Sequence, residues 1–375
     1  MIDFPASPTV GQQFTATGVT WVWDGVKWAA SGLSVAYVPL AGFVPAMNDN
    51  RIINGDMRID QRWNGASGTA NGYTIDRWVY NGSVASQFVW QRTTAAPHPQ
   101  FPYSLGFRSA SAHPPVAADF FLIQQVIEAD MISDFAFGGA SAQSITLSFW
   151  AQSSVTGTFS GSLQNIGGTT RSYPFTFSLP AANTWTKVAV TIPGDTAGTW
   201  ALSGNSGGAL LSFDLGCGAN FRASAGAWAT GNYVGATGAA NVVATNAATF
   251  YLTGVKLEIG SVATPYNRQS LAKSLADCQR YYQKLGGGGN IADIQVSGYA
   301  PNTSAPVACT IGINAMRAAP TATVVGTFST GGPIGSVTLT GGLQTLGIQL
   351  LSNAAGQMSW YTSGTSTYIT LAAEL

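Results

Sequence analysis

The sequence predicts an all-β protein built from many short strands, and three observations support this prediction. Charged residues make up 9% of the 375 residues, against about 25% in an ordinary soluble domain. Asn-Gly turn dipeptides recur at 54–55, 64–65, 71–72 and 81–82, and stretches of alternating apolar and polar residues lie along the chain. With 11 tryptophans and 13 tyrosines, the chain is also too aromatic for a disordered protein.

Residues 1–30 are predicted to form a Trp-rich hairpin module. In TWVWDGVKW, Asp24-Gly25 is a two-residue turn signal between strand-forming residues. Counting outward from that turn places Trp23 opposite Val26 and Trp21 opposite Trp28, so that two indoles meet across the strands. An isolated hairpin is marginal in water, so this one is expected to pack either on its own chain or on another protein.

Residues 31–47 contain two prolines and no charge, and are predicted to be an extended linker. A jelly-roll β-sandwich is predicted for residues 48–266. Its strands are indicated by alternating apolar positions, which then change parity between TFYL and VKLEI. A bulge at Thr253-Gly254 would restore one inward face along that strand. The alternating positions are Ile145, Leu147 and Phe149; Val188, Val190 and Ile192; and Leu211, Phe213 and Leu215.

Residues 267–289 are predicted to contain one helix, over 268–285, that ends at a run of four glycines. Its apolar positions are spaced 4, 3, 4 and 3 apart, which is the a/d pattern of a coiled coil. The helix is expected either to pack on its own sandwich or to form a short parallel trimer contact. The residues of that contact are Leu271, Leu275, Cys278, Tyr282 and Leu285.

Residues 290–375 return to strand patterns and are predicted to form a smaller C-terminal β-sandwich domain. Glycine-rich turns separate its strands. The predicted strands are Thr323–Phe328, Ser336–Thr340, Gly347–Leu351, Met358–Thr362 and Tyr368–Leu371.

Composition also limits the partners. The formal net charge is zero, which gives no electrostatic basis for binding nucleic acid or an anionic membrane. No run of 18 apolar residues predicts a membrane span. Cys217, Cys278 and Cys309 share no short spacing, so neither a disulfide framework nor a zinc site is expected, and no cofactor is indicated. The segment MIDFPASPTV does not match a signal peptide, so we expect folding in a cytoplasm.

The segment NGDMRIDQRWNG carries four of the chain's 32 charges, at Asp56, Arg58, Asp60 and Arg62. On a strand, the two carboxylates would lie about 13 Å apart with an arginine between them, whereas glycan hydrolysis needs a pair roughly 5–10 Å apart across a cleft. The segment is therefore interpreted as a structural ion-pair ladder on the outer face of a strand. No nucleophile motif, Walker loop or HExxH motif is present, so no catalytic residue is assigned and the protein is expected not to be an enzyme.

Glycan binding is easier to support than catalysis. Tryptophan and tyrosine offer flat faces for sugar rings, and asparagine, serine and threonine offer hydrogen bonds. The candidates outside the clear alternating strands are Trp63, Trp90, Trp200, Trp228 and Tyr233. Because binding residues concentrate in loops, the assigned glycan-binding residues are Trp200, Trp228 and Tyr233.

Three stretches resemble tailed-bacteriophage tail-fibre and receptor-binding proteins. They are RIINGDMRIDQRWNGAS with GYTIDRW, then FYLTGVKLEIGSVATPYNRQSLAKSLADCQRYYQK, and the closing TLAAEL. The first 30 residues are similar to a module that begins phage structural proteins. The resemblance implies a homotrimeric virion component, assembled in the host bacterial cytoplasm, with a carbohydrate-binding-module-like jelly roll. Such jelly rolls often hold calcium through an acidic pair in the last strand, but Thr253-Gly254 occupies that place, so no metal is expected.

The leading hypothesis is a tail fibre or receptor-binding protein. It would be a non-enzymatic homotrimer that recognises host cell-surface polysaccharide and attaches to other virion tail or baseplate proteins. The attachment residues would be Trp21, Trp23, Asp24, Gly25 and Trp28. The second hypothesis is a purely structural virion protein, such as a collar or head fibre or a decoration protein, without a receptor. The third hypothesis is a polysaccharide depolymerase.

Overall fold

A computed structural model describes residues 4–16, 19–30, 50–95, 98–288 and 291–375. The chain divides into two compact units, Met1–Asn48 and Asp49–Leu375. The predicted linker, residues 31–47, lies outside the described residues. Both units consist mainly of antiparallel strands, which confirms the all-β prediction.

The N-terminal unit is a three-stranded antiparallel sheet in the order β1-β2-β3. The predicted two-residue turn is wrong, because Trp23 pairs with Trp28, and Trp21 pairs with Ala30. The turn is two residues longer because the Asp24 carboxylate accepts the backbone N–H groups of Val26 and Lys27, each at 2.8 Å. These bonds hold the pKa of Asp24 below its usual value. The strands are β1 (Gln13–Ala16), β2 (Val19–Trp23) and β3 (Trp28–Ala30).

Aromatic side chains of this unit pack on one another. Phe4 stacks on Trp28 with ring centroids 5.4 Å apart, and its edge meets Trp21 at 5.3 Å. Phe14 contacts Phe4 and Trp28. Two indoles do meet across the strands, but they are Trp23 and Trp28, with ring centroids 5.7 Å apart, and not the predicted Trp21 and Trp28. The hairpin therefore packs at least partly on its own chain.

The sandwich in the second unit consists of a seven-stranded sheet in the order β15-β11-β10-β13-β8-β5-β4 and a five-stranded sheet in the order β12-β9-β17-β7-β6. The strands of the sandwich are β4 (Gly72–Ile75), β5 (Trp78–Gly82), β6 (Phe88–Thr93), β7 (Ser104–Ser109), β8 (Phe121–Glu128), β9 (Ile145–Ser153), β10 (Gly157–Asn165), β11 (Arg171–Leu179), β12 (Thr186–Ile192), β13 (Gly207–Asp214), β15 (Ala229–Thr230) and β17 (Thr249–Ile259). A parallel pair, β14 (Arg222–Ala223) with β16 (Gly235–Ala236), and short 3₁₀ turns at Asp130–Phe135, Ala219–Phe221 and Val242–Ala244 complete it.

The core of the sandwich is aromatic, and the predicted alternation decides which side chains enter it. Phe149 of the five-stranded sheet lies 5.0 Å from Phe213 of the seven-stranded sheet. The predicted bulge is confirmed, because the pairing of β17 with β9 shifts register between Thr253 and Lys256, and Gly254 has a φ of +63°. The bulge turns Val255 and Leu257 into the core, whereas Ile259 at the end of the strand is 37% exposed.

The predicted helix is shorter than its sequence pattern. The helix α1 is Leu271–Gln279, and its Ser270 cap accepts the backbone N–H of Lys273. Residues Tyr282–Gly286 form strand β18, in which Tyr282 pairs with Ala372 and Leu285 with Ile369.

The trimer contact assigned to Leu271, Leu275, Cys278, Tyr282 and Leu285 is therefore not one helical stripe. Within the helix, Leu271 is 57% exposed, whereas Cys278 is fully buried in the chain's own packing. Leu275 is half-buried. The backbone of Tyr282 and Leu285 is instead satisfied by sheet pairing, which the 4-3 apolar spacing did not indicate.

The C-terminal region forms three three-stranded sheets, β18-β26-β21, β19-β25-β22 and β20-β24-β23, around one smaller core that includes Trp360 and Leu346. All five predicted strand locations are confirmed, with small changes at the ends. The strands are β19 (Ile291–Ala300), β20 (Pro306–Gly312), β21 (Thr321–Val325), β22 (Ser329–Gly331), β23 (Ile334–Gly341), β24 (Thr345–Ser352), β25 (Gly356–Ser363) and β26 (Tyr368–Ala372).

The predicted ion-pair ladder is wrong. Residues 54–65 form turns rather than a strand, and Asn54, Met57 and Asn64 have left-handed backbone conformations. Asp56 and Asp60 are buried, not on an outer face. Asp60 accepts backbone N–H groups of its own turn, and Arg62 forms an ion pair with the distant Glu374.

Candidate functional site

An open pocket of about 300 Å³ lies where the sandwich meets the C-terminal strands within the second unit. We call it the aromatic pocket, since five aromatic side chains line it. The lining residues are Arg62, Trp63, Ala70, Asn71, Tyr73, Trp90, Tyr282, Val325, Tyr368 and Thr370. They come from the 54–65 turns, the first strands of the sandwich and three strands of the C-terminal region. The pocket therefore joins residues as far apart in sequence as Arg62 and Thr370.

Trp63 is the most exposed aromatic wall of this pocket. Its side chain is 43% exposed, and none of the other ten tryptophans, all of which the structure describes, is classed as exposed. Asp60 holds the turn beneath it by accepting the backbone N–H groups of Trp63 at 2.9 Å and Gly65 at 2.6 Å. The indole Nε1 donates to the Tyr73 carbonyl at 2.9 Å, and the ring meets Trp90 edge-on at 5.2 Å. The indole is thus oriented before any ligand arrives.

Arg62 organises the inner part of the aromatic pocket. Its guanidinium lies 3.7 Å from the ring centre of Tyr282 and 4.4 Å from that of Tyr73, and it forms an ion pair with Glu374. Burial raises the pKa of Tyr73 to about 12, and burial likewise raises the pKa of Tyr282 to about 12. Both phenols therefore stay protonated near neutral pH and can donate hydrogen bonds.

The chemistry of the aromatic pocket suits a polar ring-shaped ligand. An exposed indole face packs well against the C–H groups of a sugar ring, while hydroxyl groups satisfy the ring's own hydroxyls. Thr370, Tyr282 and Tyr368 supply such hydroxyls. The Tyr73 hydroxyl already donates to the Leu375 carbonyl, and the Asn71 amide is bonded to the backbone of Gly82. The carboxylate in contact with this site, Glu374, is held by two arginines.

The assigned glycan residues do not line the aromatic pocket. Trp200 is only 8% exposed, packs on Phe137 at 4.8 Å and donates Nε1–H to Asp195, so it has no free face for a sugar. Trp228 is half-buried against Trp200 and donates to the Pro193 carbonyl. Tyr233 is half-buried beside Gly231.

Of the wider candidates, Trp90 is buried and supports Trp63 from behind. Sequence reasoning named Trp63 but missed Tyr73, Tyr282 and Tyr368. The sequence feature that indicates Trp63 is its position between two Asn-Gly dipeptides, because such dipeptides predict that the residue lies in a turn.

Asp76 has a raised pKa, as a general acid does, and so does Asp214. Burial raises the pKa of Asp76 to about 6. Its carboxylate accepts the backbone N–H of Gln61 at 2.6 Å and the Gln61 amide at 2.7 Å. The side chain is buried away from the aromatic pocket's opening, so its role is to bind the 54–65 turns to the sandwich.

Neither a metal-binding cluster nor a membrane-spanning helix occurs among the described residues. In the part of the chain that the structure describes, no three His, Cys, Asp or Glu side chains are grouped to hold a metal ion. Among the same residues, no helix is long and apolar enough to cross a membrane.

Comparison with known proteins gives likenesses of fold alone. No protein-family model matches the chain, and no curated protein matches it. The enzymatically active domain of tailspike protein 4 from bacteriophage CBA120 is similar over 56% of this chain and 22% of that chain, at 15% identity and a TM-score of 0.32. The module TmCBM61, solved with β-1,4-galactotriose, is similar over 56% of this chain and 99% of that chain, at 9% identity and a TM-score of 0.30.

A third similar structure is the N-terminal cellulose-binding domain of the β-1,4-glucanase C from Cellulomonas fimi. It covers 54% of this chain and 97% of that domain, at 13% identity and a TM-score of 0.28. Each of the three matches spans a little over half of this chain.

Proposed function

We propose that this chain is a bacteriophage receptor-binding protein or tail fibre that holds host cell-surface glycan in the aromatic pocket. The observation that carries the proposal is the exposed, pre-oriented indole of Trp63 in a pocket walled by four other aromatic rings. The virion assignment is supported by the resemblance of the 51–67 and 250–284 segments to phage fibre proteins. In this proposal the protein binds without cleaving.

The proposal includes a homotrimer on an external appendage of the virion, attached through residues 1–30. Support for self-association comes from the apolar residues of edge strands in the C-terminal region, which are only half covered. Attachment through the N-terminal unit is supported by its separation as a compact unit. Light scattering of the purified chain should give about three times 38.8 kDa.

The test of glycan binding uses the purified full chain and polysaccharides extracted from a panel of bacterial strains. Trp63→Ala should weaken binding to the polysaccharide that the wild type binds by about tenfold or more, equivalent to the loss of about 1.4 kcal/mol of stacking. Trp23→Ala, which removes an indole from the separate N-terminal unit, is the matched control and should bind as the wild type does. Unchanged binding by Trp63→Ala would remove the aromatic pocket from the proposal.

The same experiment separates the competing functions. If the wild type binds no polysaccharide and does not adsorb to cells, a purely structural virion role replaces receptor binding. New reducing ends in the polysaccharide after incubation would show a depolymerase. Deleting residues 1–30 should leave glycan binding intact and abolish incorporation into particles, and normal incorporation would refute that attachment role.

A further inference from the structure

A second and larger pocket, of about 600 Å³, opens on the outer face of the five-stranded sheet. We call it the cationic pocket. The residues that matter for its chemistry are Trp150, Lys187, Thr264, Pro265, Tyr266 and Arg268. It shares no lining residue with the aromatic pocket, and it is not needed for the proposed function at Trp63.

One wall of the cationic pocket is fixed by a buried ion pair. Lys256 Nζ lies 2.9 Å from Glu258 Oε2, and both side chains are only 2% exposed. Glu258 also accepts the backbone N–H of Thr264 at 2.9 Å and its hydroxyl at 2.6 Å, and Lys256 donates to Thr264 as well. These bonds hold the segment with Thr264, Pro265 and Tyr266 over the sheet, so this wall is formed before a ligand binds.

The β17 bulge supplies the space between the aromatic walls. A Cβ atom on Gly254 would lie 2.7 Å from the Phe101 ring and 3.2 Å from the Trp150 ring, both closer than ordinary van der Waals contact. Only glycine at this left-handed position lets the two rings approach the bulge. Phe101 meets Tyr266 edge-on at 5.2 Å, and Trp150 is half-buried with its ring 4.4 Å from that of His98. Aromatic rings that hold one another edge to face therefore line the cationic pocket.

Two cationic side chains, Lys187 and Arg268, lie at the opening of the cationic pocket. Lys187 is exposed, and within the described residues no carboxylate lies at ion-pair distance from it. Arg268 is 42% exposed, and its nearest carboxylate, Asp56, is 3.7 Å away and already 2.5 Å from Arg58. Because the two buried pairs, Lys256–Glu258 and Arg58–Asp56, are each neutral, Lys187 and Arg268 leave about two positive charges at the opening.

We propose that the cationic pocket binds an acidic saccharide unit, a sugar ring that carries a carboxylate. The indole of Trp150 and the ring of Tyr266 fit the faces of a sugar ring. Arg268 Nη2 donates to the Gln100 carbonyl and its Nε faces Asp56, so Lys187 and the remaining N–H groups of Arg268 would pair with the carboxylate. The volume of about 600 Å³ is in the range of ordinary small-ligand sites. A neutral sugar would leave Lys187 without a carboxylate partner among the described residues and Arg268 with only the carboxylate of Asp56, which Arg58 shares.

Isothermal titration calorimetry of the full-length protein measures its affinity for a panel of defined acidic oligosaccharides. Each acidic oligosaccharide is compared with its carboxyl-reduced counterpart, for example α-1,4-trigalacturonate with the galactotriose that its reduction gives. At low salt, at least one acidic member should bind and its reduced counterpart should bind at least about tenfold more weakly, since the carboxylate is the only difference. Binding should weaken as salt rises, because the charges are partly exposed.

Two double variants locate the site. Lys187→Gln with Arg268→Gln should weaken binding to the acidic member by about tenfold or more. Lys27→Gln with Lys273→Gln, which removes two exposed positive charges elsewhere, should bind as the wild type does. Trp63→Ala should also leave acidic binding unchanged, so failure of the aromatic pocket and failure of the cationic pocket give different results.

The proposal is overturned if no acidic member binds, if acidic and reduced members bind equally, or if the Lys187 and Arg268 variant binds as the wild type does. Arg268→Lys keeps the charge but loses the planar group, so it should weaken binding less than the double glutamine variant does. Equal thermal unfolding midpoints for the variants and the wild type would show that weaker binding does not come from lost folding.

Discussion

The sandwich and the C-terminal region are both built from antiparallel strands, but they bury their apolar residues to different extents. Leu211 in the middle of the seven-stranded sheet is fully buried. In the C-terminal region, Leu346, Ile348 and Leu350 of the central strand β24 are buried as well, whereas Leu339 on the adjacent strand β23 is only half-buried. The difference follows from size, because a sheet of three strands has two edges for one centre.

The small region compensates for this by contacts with the sandwich. Glu374 accepts bonds from Arg62 and Arg77, and Arg280 Nη2 lies 2.8 Å from Glu128 Oε2. Arg317 donates to the Asn205 carbonyl at 2.7 Å. We call these contacts the junction. The stability of the C-terminal region therefore depends on contacts outside its own core. The junction supplies contacts with the sandwich, and the region's edge strands are left half covered.

The largest expected effect tests the burial difference itself. Leu211→Ala should lower the free energy of unfolding by about 4 kcal/mol, since it leaves a cavity in a closed core. Leu339→Ala should cost about 1 kcal/mol, because half of its side chain already meets solvent. Urea denaturation of each variant measures both values. A cost for Leu339→Ala near that for Leu211→Ala would contradict the comparison and show that another copy of the chain covers β23.

The next effect tests the junction. Arg77 is 2% exposed, lies 3.5 Å from the Tyr281 ring centre and is 2.6 Å from Glu374. Glu374→Gln would leave this buried cation without its counter-charge, so the expected loss is about 3 kcal/mol. Hydrogen exchange should rise in β26 and β18 before it rises in the sandwich core.

The matched control for the junction is Asp134→Asn. Its pair with Arg51, at 2.6 Å, involves a carboxylate that is 51% exposed, so the cost should stay below about 1 kcal/mol. Equal effects for Glu374→Gln and Asp134→Asn would mean that the junction contributes little to holding the C-terminal region.

Sequence reasoning succeeded where the deciding interaction is local. The alternation in Ile145, Leu147 and Phe149 defines a buried face without knowledge of the partner strand, and the parity change at Thr253-Gly254 locates the bulge. Tyr282 was misplaced because apolar residues spaced 4 and 3 apart fit a helix, while the strand that overrides this preference, β26, lies about 90 residues later.

Residues 54–65, which contribute to the candidate site, were also predicted wrongly because their deciding contacts are not visible in the local pattern. The alternating charges at Asp56, Arg58, Asp60 and Arg62 look like a strand face, but Asp60 bonds to the backbone of its own turn and Arg62 bonds to Glu374. Short polar side chains commonly serve turns in this way. The partners of Arg62 in the aromatic pocket, Tyr73 and Tyr282, are far apart in sequence, so neither period nor spacing could bring them together.

The smallest expected effect is a pH dependence of the free energy of unfolding that comes from Asp76, a residue joined to the C-terminal region by Gln61. Gln61 donates to Asp76 at 2.7 Å and to the Tyr282 carbonyl at 2.9 Å. Since burial raises the pKa of Asp76 to about 6 from 3.8, the folded state favours the protonated acid more than the unfolded state does. This contribution is fully present below about pH 4 and is lost as the pH rises to about 6, a change of roughly 2 to 3 kcal/mol.

Asp76→Asn should therefore flatten the dependence of unfolding free energy on pH between 4 and 6, relative to the wild type. Urea denaturation at pH 4, 5, 6 and 7 measures it, and Asp130→Asn, at an exposed carboxyl, should keep the wild-type slope. If Asp76→Asn keeps that slope too, Asp76 is ionised in the folded protein at pH 4. In that case both hydrogen bonds that Gln61 donates to Asp76 are made to a carboxylate at pH 4 as well as at pH 7.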